Sequence, residues 1–425
     1  MAALREAERL LPAPCIAGRR IALFAGAYNH ISDGVALTLN RLVAYLESRG
    51  AKTLIYAPTT NKPPAIRHTG TLISVPSIPF PGRSDYRLTL GLSRKGWSQL
   101  EAFKPHLVHI ATPDYAGAQA LRWAKSREIP VVASFHTHFP AYFKYFASYN
   151  RLYRMDLLEN TAWRYGRWFY PQCEHIYVPS PSIAAELRAR GITNGLRIWA
   201  RGVDAQRFSP ERRNDTWRRS LGIEPEEVVV SFVGRLVWEK GLFVYADVME
   251  GLKAKGTPHK SVIVGDGPAR SALQDRLQDT VFTGPLTGNR LATAYASSDV
   301  FLFPSDTETF GNVTLEAMAS GLPAVCADAA GSDLLVVDGK TGYLAPPRDS
   351  ARFLTHVTGL IERSELRTRM GAAARTRALT FEWEQIMACL AAYYAEIWQQ
   401  RAEPEGDGFA GPEPAVRLSV SRAVA

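Results

Sequence analysis

Cysteine is scarce in this chain: four among 425 residues, at Cys15, Cys173, Cys326 and Cys389. None stands in a C-x-x-C pair. That excludes a disulfide framework and a zinc site built on paired thiols, and it fits a reducing, cytoplasmic setting. Long apolar runs are missing too. No window approaches 18 uninterrupted apolar residues, so no spanning helix is expected. The opening MAALREAERLLPAPC holds acids and no apolar core long enough for a secretory signal. Acidic residues are thin in the first half. Residues 1–210 carry 27 basic and 13 acidic side chains, a net of +14, whereas residues 211–425 carry 23 and 28, a net of −5. The remaining composition, 46% hydrophobic, 21% charged and 10% aromatic, is that of a globular protein and excludes disorder, collagen and a coiled-coil rod. At 100–200 residues per domain, the length suggests about two to four domains.

Short apolar runs alternate with amphipathic stretches. Arg20–Phe24 reads as a buried strand, followed by a helix over Val35–Arg49 with Gly50 as its stop. Further strands are predicted at Thr53–Tyr56, Leu107–Ile110, Val131–Phe135 and His175–Val178, with helices over Tyr115–Ser126 and Pro181–Arg190. The alternation restarts after a polar stretch, Ser209–Arg219, with strands at Val228–Val233, Ser261–Val264, Val300–Phe303 and Pro323–Cys326. Strand–helix alternation implies two α/β blocks with parallel sheets and crossover helices. In such sheets ligands gather beyond the carboxyl ends of the strands, so the loops there are where chemistry belongs.

Four of these loops stand out. Gly234-Arg235-Leu236-Val237-Trp238-Glu239-Lys240-Gly241 runs from a strand into a helix and sets two cations beside a helix N-terminus, a pattern suited to a diphosphate. The plainer reading is a turn with a solvated lysine. Gly265-Asp266-Gly267 is a glycine-rich turn that could bring a ligand close to the backbone. Ser305 to Gly321 leads into a helix starting near Gly311 or Asn312, whose free amides can hold an anion, with Glu308 before that start and Glu316 just past the first turn. Both carboxylates can face one cavity and accept hydrogen bonds from a polyol; alternatively they are a surface helix acid and a loop acid. The last loop, Phe135-His136-Thr137-His138, puts a histidine at a strand end. His136 and His138 would point to opposite faces and have no cysteine or acidic cluster nearby, so no metal is expected.

Glu308 and Glu316 form an E-x7-E pair inside ETFGNVTLEAMASGLPAV, and this phrase resembles the retaining glycosyltransferases of family 4. Asp33-Gly34-Val35, the His136 loop, Arg201-Gly202-Val203-Asp204, Gly234-Arg235 with Lys240, and Gly265-Asp266-Gly267 stand in that family's order, so the resemblance spans residues 20–400. The phrases SFHTHFPAYFKYF and RIWARGVDAQRFSP look most like the branch containing GDP-mannose-dependent α-mannosyltransferases and sulfoquinovosyl-diacylglycerol synthases.

The resemblance implies an α/β fold of the GT-B type: two facing Rossmann-like domains with parallel sheets and a C-terminal crossover helix. It divides the chain into a flexible start (1–18), an acceptor-binding domain (19–205), a nucleotide-sugar donor domain (206–380), the crossover helix (381–402) and a disordered tail (403–425). It also implies roles. Arg235 and Lys240 would bind the donor diphosphate and neutralise the leaving group. Glu316 would accept from the ribose hydroxyls, and Glu308 would contact the donor sugar. Amides at Phe310, Gly311 and Asn312 would hold sugar and phosphate oxygens, with Val313, Gly234, Gly265, Asp266 and Gly267 completing the donor site. His136 would lie near the reacting carbon. Asn29, Asp33, Gly34 and Arg201 would line the acceptor side. The reaction would move a hexose, mannose from GDP-mannose first and a UDP-sugar second, to a hydroxyl of a glycolipid or lipid-linked glycan with retained configuration. No D-x-D is present, and neither metal nor cofactor is expected; the nucleotide-sugar is a substrate. Asp33-Gly34 replaces a common Gly-Gly pair, and Ala200-Arg201-Gly202-Val203-Asp204 replaces a common Pro-Asn-Gly-Val-Asp. Arg201 would either reach the ligand or pair with a carboxylate.

Residues 141–170 interleave Lys144, Arg151, Arg154, Arg164 and Arg167 with aromatics. Such a helix can lie on the anionic inner face of the cytoplasmic membrane, delivering a lipid acceptor. It can equally pack its aromatics inward and leave its arginines in water. The basic excess admits nucleic-acid binding as a class, but no such motif is present and none is expected. A nucleotide-sugar epimerase of the same architecture is the enzymatic rival.

Overall fold

The computed structural model describes residues 16–31, 34–80, 83–135 and 155–402. Its strands run β1 (Arg20–Phe24), β2 (Lys52–Ala57), β3 (Thr71–Ser74), β4 (Ser77–Phe80), β5 (Arg83–Thr89), β6 (Leu107–Ile110), β7 (Val131–Ser134), β8 (His175–Val178) and β9 (Leu196–Ile198) in the first half. The second half holds β10 (Val229–Val233), β11 (Lys260–Val264), β12 (Thr280–Gly284), β13 (Val300–Phe303), β14 (Ala324–Ala327) and β15 (Gly342–Ala345). They form two parallel sheets, ordered β3-β2-β1-β6-β7-β8-β9 and β12-β11-β10-β13-β14-β15; β4 and β5 make a separate antiparallel pair. The central strands are mostly apolar because helices cover both faces: every residue of β6, β7, β8, β10, β13 and β14 is buried, the polar His109, Ser134, His175 and Ser231 among them.

Both sheets reverse direction of growth at one place. β1 pairs with β2 on one side and β6 on the other, and β10 pairs with β11 and β13. A crevice opens at such a switch point beyond the carboxyl ends of the strands. The loops 234–241 and 304–311 leave the two strands that flank the second switch point.

The last helix, Trp383–Ala402, returns to the first sheet. Tyr394 reaches His109 on β6, with its hydroxyl 2.6 Å from Nδ1, while His109 Nε2 lies 2.6 Å from the Ser134 hydroxyl on β7. Burial pushes the His109 imidazole down to about 3, so it stays neutral as a hydrogen-bonding post. Tyr393 stacks on Tyr177 at 5.9 Å, Trp398 donates to the His106 carbonyl, and Glu396 pairs with Arg197 at 3.0 Å. At the other end of this clasp, Val203 of the Arg201–Asp204 motif donates its N–H to Phe381.

Some sequence expectations need correction. The start was expected loose through residue 18, but Ile16 is 1% exposed and the Gly18 N–H bonds the Gly50 carbonyl. One apolar residue outside any periodic run seals the core beside β1. The stretch Ser209–Arg219 was read as a polar joint; it contains the helix Asp215–Ser220, and Arg218 is fully buried, donating to the Ser297 carbonyl and paired with Asp299 at 3.1 Å. The pair β4–β5, the edge strands β3, β9, β12 and β15, and the helices Arg94–Phe103, Ser350–Glu362 and Ser364–Leu379 were not anticipated. The expected tail, 403–425, lies outside the described residues.

Candidate functional site

The loop after β10 brings its two cations to the crevice in different states. Lys240 ends a short 3-10 turn, Trp238–Lys240, and its ammonium makes a very short contact with the Glu308 carboxylate from the loop after β13. Both side chains are about one-fifth exposed, at 24% and 19%. Arg235 is exposed and makes no side-chain hydrogen bond or ion pair with other described residues. One cation is therefore held by an acid, and the other is open to solvent beside it.

The glycines serve the loops themselves. A Cβ on Gly265 would collide with the Gly234 carbonyl oxygen, and one on Gly267 with the Leu236 carbonyl oxygen. The two loops also exchange hydrogen bonds: Gly234 N–H to Val264, Leu236 N–H to Asp266, and Ala269 N–H to Leu236. Sequence reasoning gave Gly265 and Gly267 to a ligand; in the fold they also let the backbones of the two loops approach closely. Asp266 likewise accepts from the Gly267 N–H at 2.8 Å and lies 3.7 Å from Arg270. The floor of the crevice is thus a rigid double loop.

The loop after β13 ends in the helix Asn312–Ala319. Its N-cap is Gly311 at φ 88°, a left-handed conformation, and no side chain caps the first turn. Phe310 is buried against Phe381, Val313 is half-buried on the core, and Asn312 is exposed. Glu316, one turn on, accepts from the Tyr295 hydroxyl at 3.2 Å. Burial drives its carboxyl up to about 7, with Tyr295 and the positive charge of Arg207 acting in the opposite sense. Such an acid sits near its midpoint at neutral pH. Tyr295 and Gly331 escaped the sequence reading. Tyr295 lies in the last turn of the helix Gly288–Ala296 and carries no local signal. Gly331, whose added Cβ would lie 2.8 Å from the Phe310 nitrogen, follows β14 and falls under the same strand-end rule that found the other loops.

The first domain meets this site at Gly34. A Cβ there would lie 3.1 Å from the side-chain Nδ2 of Asn312, so the expected acceptor loop and the expected donor helix abut. Arg201 is buried, and the bonds described for it run to the expected acceptor loop. It is 6% exposed, and its guanidinium donates to the Gly34 carbonyl at 2.9 Å and the Thr38 hydroxyl at 2.5 Å. It anchors the acceptor loop from beneath. Asn29 is 7% exposed: its carbonyl accepts from Ala65 and Ile66, and its side-chain amide nitrogen lies 3.3 Å from His68. Asp33 and His136 lie outside the described residues, as does the first part of the basic-aromatic stretch, 141–154. Farther along the seam, Ser182 donates to Asp333 across the domains at 3.5 Å.

Two family models divide the chain between them: glycosyltransferase family 4 over residues 32–207 and glycosyl transferases group 1 over residues 213–377. The chain is 34% identical to a GDP-mannose-dependent alpha-mannosyltransferase of Mycobacterium tuberculosis across 90% of its own length and 98% of that protein. It is also 34% identical to the sulfoquinovosyl transferase SQD2 of Arabidopsis thaliana, across 92% of this chain and 77% of that one. Among solved structures, a sucrose-phosphate synthase from Thermosynechococcus elongatus superposes with a TM-score of 0.72 at 20% identity, covering 90% of this chain and all of that one. Anabaena HepE, in complex with UDP and glucose, reaches 0.65 at 18% identity over 89% of this chain and 100% of its own. These two likenesses show the shared two-domain fold.

Proposed function

The chain belongs to glycosyltransferase family 4 and has the GT-B fold, and on that premise we propose that it moves mannose from GDP-mannose to a hydroxyl of a glycolipid or lipid-linked glycan, at the inner face of the cytoplasmic membrane and with retained configuration. The observation that carries the reading is the contact between Lys240 and Glu308 at the switch point, with Arg235 open beside it. Sugar transfer builds positive charge on the anomeric carbon and negative charge on the departing diphosphate. Arg235, Lys240 and the uncapped amides of Gly311 and Asn312 are the groups that would stabilise that negative charge, in a site partly shielded from water. An arriving diphosphate would draw Lys240 off Glu308. The carboxylate so freed would accept from hydroxyls of the sugar, so donor binding and sugar recognition are coupled through one ion pair. Glu316 would accept from the ribose diol. His136 would approach the sugar from the first domain, and the acceptor would enter past Gly34. No step calls for a metal: the diphosphate's charge is met by side-chain cations and amides.

The donor preference leans on the mannosyltransferase relative, whose 34% identity runs over nearly its whole length. A thermal-shift screen of GDP-, UDP- and ADP-sugars tests it directly. GDP-mannose is expected to give the largest stabilisation. A larger shift with a UDP-sugar would replace the donor and leave the reaction class standing. Incubation with donor alone separates transfer from isomerisation, since rapid conversion of the free nucleotide-sugar would favour an epimerase.

A further inference from the structure

The pair β4–β5 turns the usual pattern of a sheet inside out. A two-stranded ribbon is marginal in water by itself and buries its apolar face against the body of the protein. Here the register sets Ile78 directly opposite Leu88. Alternation puts Leu90 on the same face, and these three side chains are 47%, 38% and 55% exposed. The opposite face is the one that holds the protein. Thr89 is 6% exposed and accepts from the Ala116 N–H, while Arg87 on the same face bonds Ser77 across the ribbon itself. The ribbon docks by its polar side and offers its apolar side to solvent.

The apolar face continues onto neighbouring elements. Ala116 is the second residue of the helix Tyr115–Lys125, and Tyr115 before it is 57% exposed, next in sequence to the residue that bonds Thr89. Trp168 and Tyr165 of the helix Met155–Phe169 are 40% and 36% exposed, and the Arg122 guanidinium lies 5.3 Å over the Trp168 ring. The charge around these residues is basic and exposed: Arg94, Lys95, Arg122, Lys125 and Arg167. This surface also has a direction. The helix Tyr115–Lys125 follows β6, so its first residue stands at the carboxyl ends of the first sheet, the end at which the crevice opens.

We infer that the solvent-facing side of β4–β5, with Tyr115, is the surface by which this protein settles on an anionic lipid bilayer. Leucine and isoleucine would enter the acyl boundary, the tyrosine and tryptophan rings would sit at headgroup depth, and the surrounding cations would meet lipid phosphates. The expected basic-aromatic helix contributes only its described end, through Tyr165, Trp168 and Arg167. The inference deepens the proposal of a membrane-borne acceptor and rests on it for its purpose, though bilayer binding itself needs no donor and no transfer.

Flotation of the full chain with vesicles of phosphatidylglycerol and phosphatidylcholine tests it. The wild-type protein is expected to float with these vesicles at low salt and to stay behind with phosphatidylcholine alone. The triple variant Ile78→Ser, Leu88→Ser, Leu90→Ser should lose at least about tenfold in floated fraction. Tyr115→Ser, on a separate element, should lose severalfold and guards against misfolding of the ribbon. Phe243→Ser, an exposed aromatic of the second domain (55%), should change nothing. Nucleotide-induced thermal shifts read the donor site independently, so lost flotation with a kept shift supports the surface, and a missing shift in every protein would sink the donor reading instead. Wild-type protein that fails to float on anionic vesicles, variants that float as well as wild type, or a wild-type dimer that these changes turn monomeric without any vesicle binding would each overturn the inference.

Discussion

The two sheets end in helices that begin differently. In the first domain, the helices after β6 and β8 carry their own caps: Asp114 accepts from the Gly117 N–H at 2.9 Å, and Ser180 from the Ile183 N–H at 3.4 Å. In the second domain, the helices that follow β10 to β14, starting at Leu242, Arg270, Gly288, Asn312 and Ser332, have Gly241, Ala269, Thr287, Gly311 and Gly331 as N-caps, and none makes a side-chain cap bond, whereas Asn214 caps the helix before β10 and Asp349 the one after the edge strand β15. A cap contributes about 1 kcal/mol and needs one Ser or Asp, so its repeated absence leaves stability unused. A capped end has filled its amides with an oxygen of its own. An uncapped end keeps them for an anion from outside. The charge distribution tells the same story at another scale. The second half is acidic overall, at −5, yet it sets Arg235 and Lys240 at these uncapped ends.

The comparison breaks most visibly if the uncapped end is supplied with what it lacks or stripped of its cation. Lys240→Ala removes the charge meant for the diphosphate and leaves Glu308 facing it unneutralised; turnover should fall at least about tenfold, as it should in Glu316→Ala. Wild-type rates in both would overturn the site assignment. Gly311→Asp transplants the first domain's solution into the second. Asp tolerates the left-handed region, and its Cβ would meet Leu335 at an ordinary 3.5 Å. Its carboxylate should stand at the amides and repel the donor, lowering affinity by about tenfold or more, while the left-handed backbone at φ 88° lowers stability by about 1 kcal/mol. Unchanged donor affinity in a folded Gly311→Asp protein would mean those amides hold no phosphate.

A smaller effect comes from pH. The Glu316 carboxyl is pushed up to about 7 by burial, and a ribose diol is best met by the carboxylate form. Donor affinity should therefore climb as pH rises through about 7, with a slope approaching tenfold per unit on the acid side, and binding should release a proton. Glu316→Gln should flatten the profile. Tyr295→Phe removes the hydroxyl that favours the charged form and should move the midpoint upward. Stability runs the other way. A carboxyl whose folded pKa lies above its unfolded value is most favourable to the fold below the unfolded pKa, and that contribution is lost as pH rises through about 7. A donor-affinity profile with no inflection near neutrality would remove Glu316 from the ribose.

Much of this was written in the sequence because buried parallel strands are apolar runs with glycine or proline at their carboxyl ends. β1, β6, β8 and β13 were read to the residue, and the donor loops followed from lying after β10 and β13. Local signals failed where tertiary contact decides. The four-residue edge strand β3 is only half-buried and shows no apolar run, and β4–β5 hides behind two exposed prolines and a reversed face. Arg201 shows the limit at the level of one side chain. The motif position suggested a ligand contact or a carboxylate partner; the fold also brings Gly34 and Thr38 within reach, 167 and 163 residues away in sequence. Nothing local in Ala200-Arg201-Gly202 could announce those partners.

The mildest test addresses the capped side of the comparison. If the first-domain caps are purely structural, deleting one should cost stability and nothing else. Asp114→Ala exposes the orphan amides of the helix Tyr115–Lys125 and should destabilise the chain by about 1 kcal/mol, read as a lowered melting temperature. Burial raises the Asp114 carboxyl above its usual range despite the amides that stabilise its charge, so the loss should stay near the low end of what a cap contributes. Asp114→Asn keeps an accepting oxygen and should recover most of that loss. GDP-mannose affinity in both variants should match the wild type, because this helix end already supplies its own acceptor and has nothing left to offer a phosphate. A donor affinity that fell with the Asp114 cap would erase the distinction between the two domains' helix ends, and with it the reason for assigning the anion site to the uncapped ones.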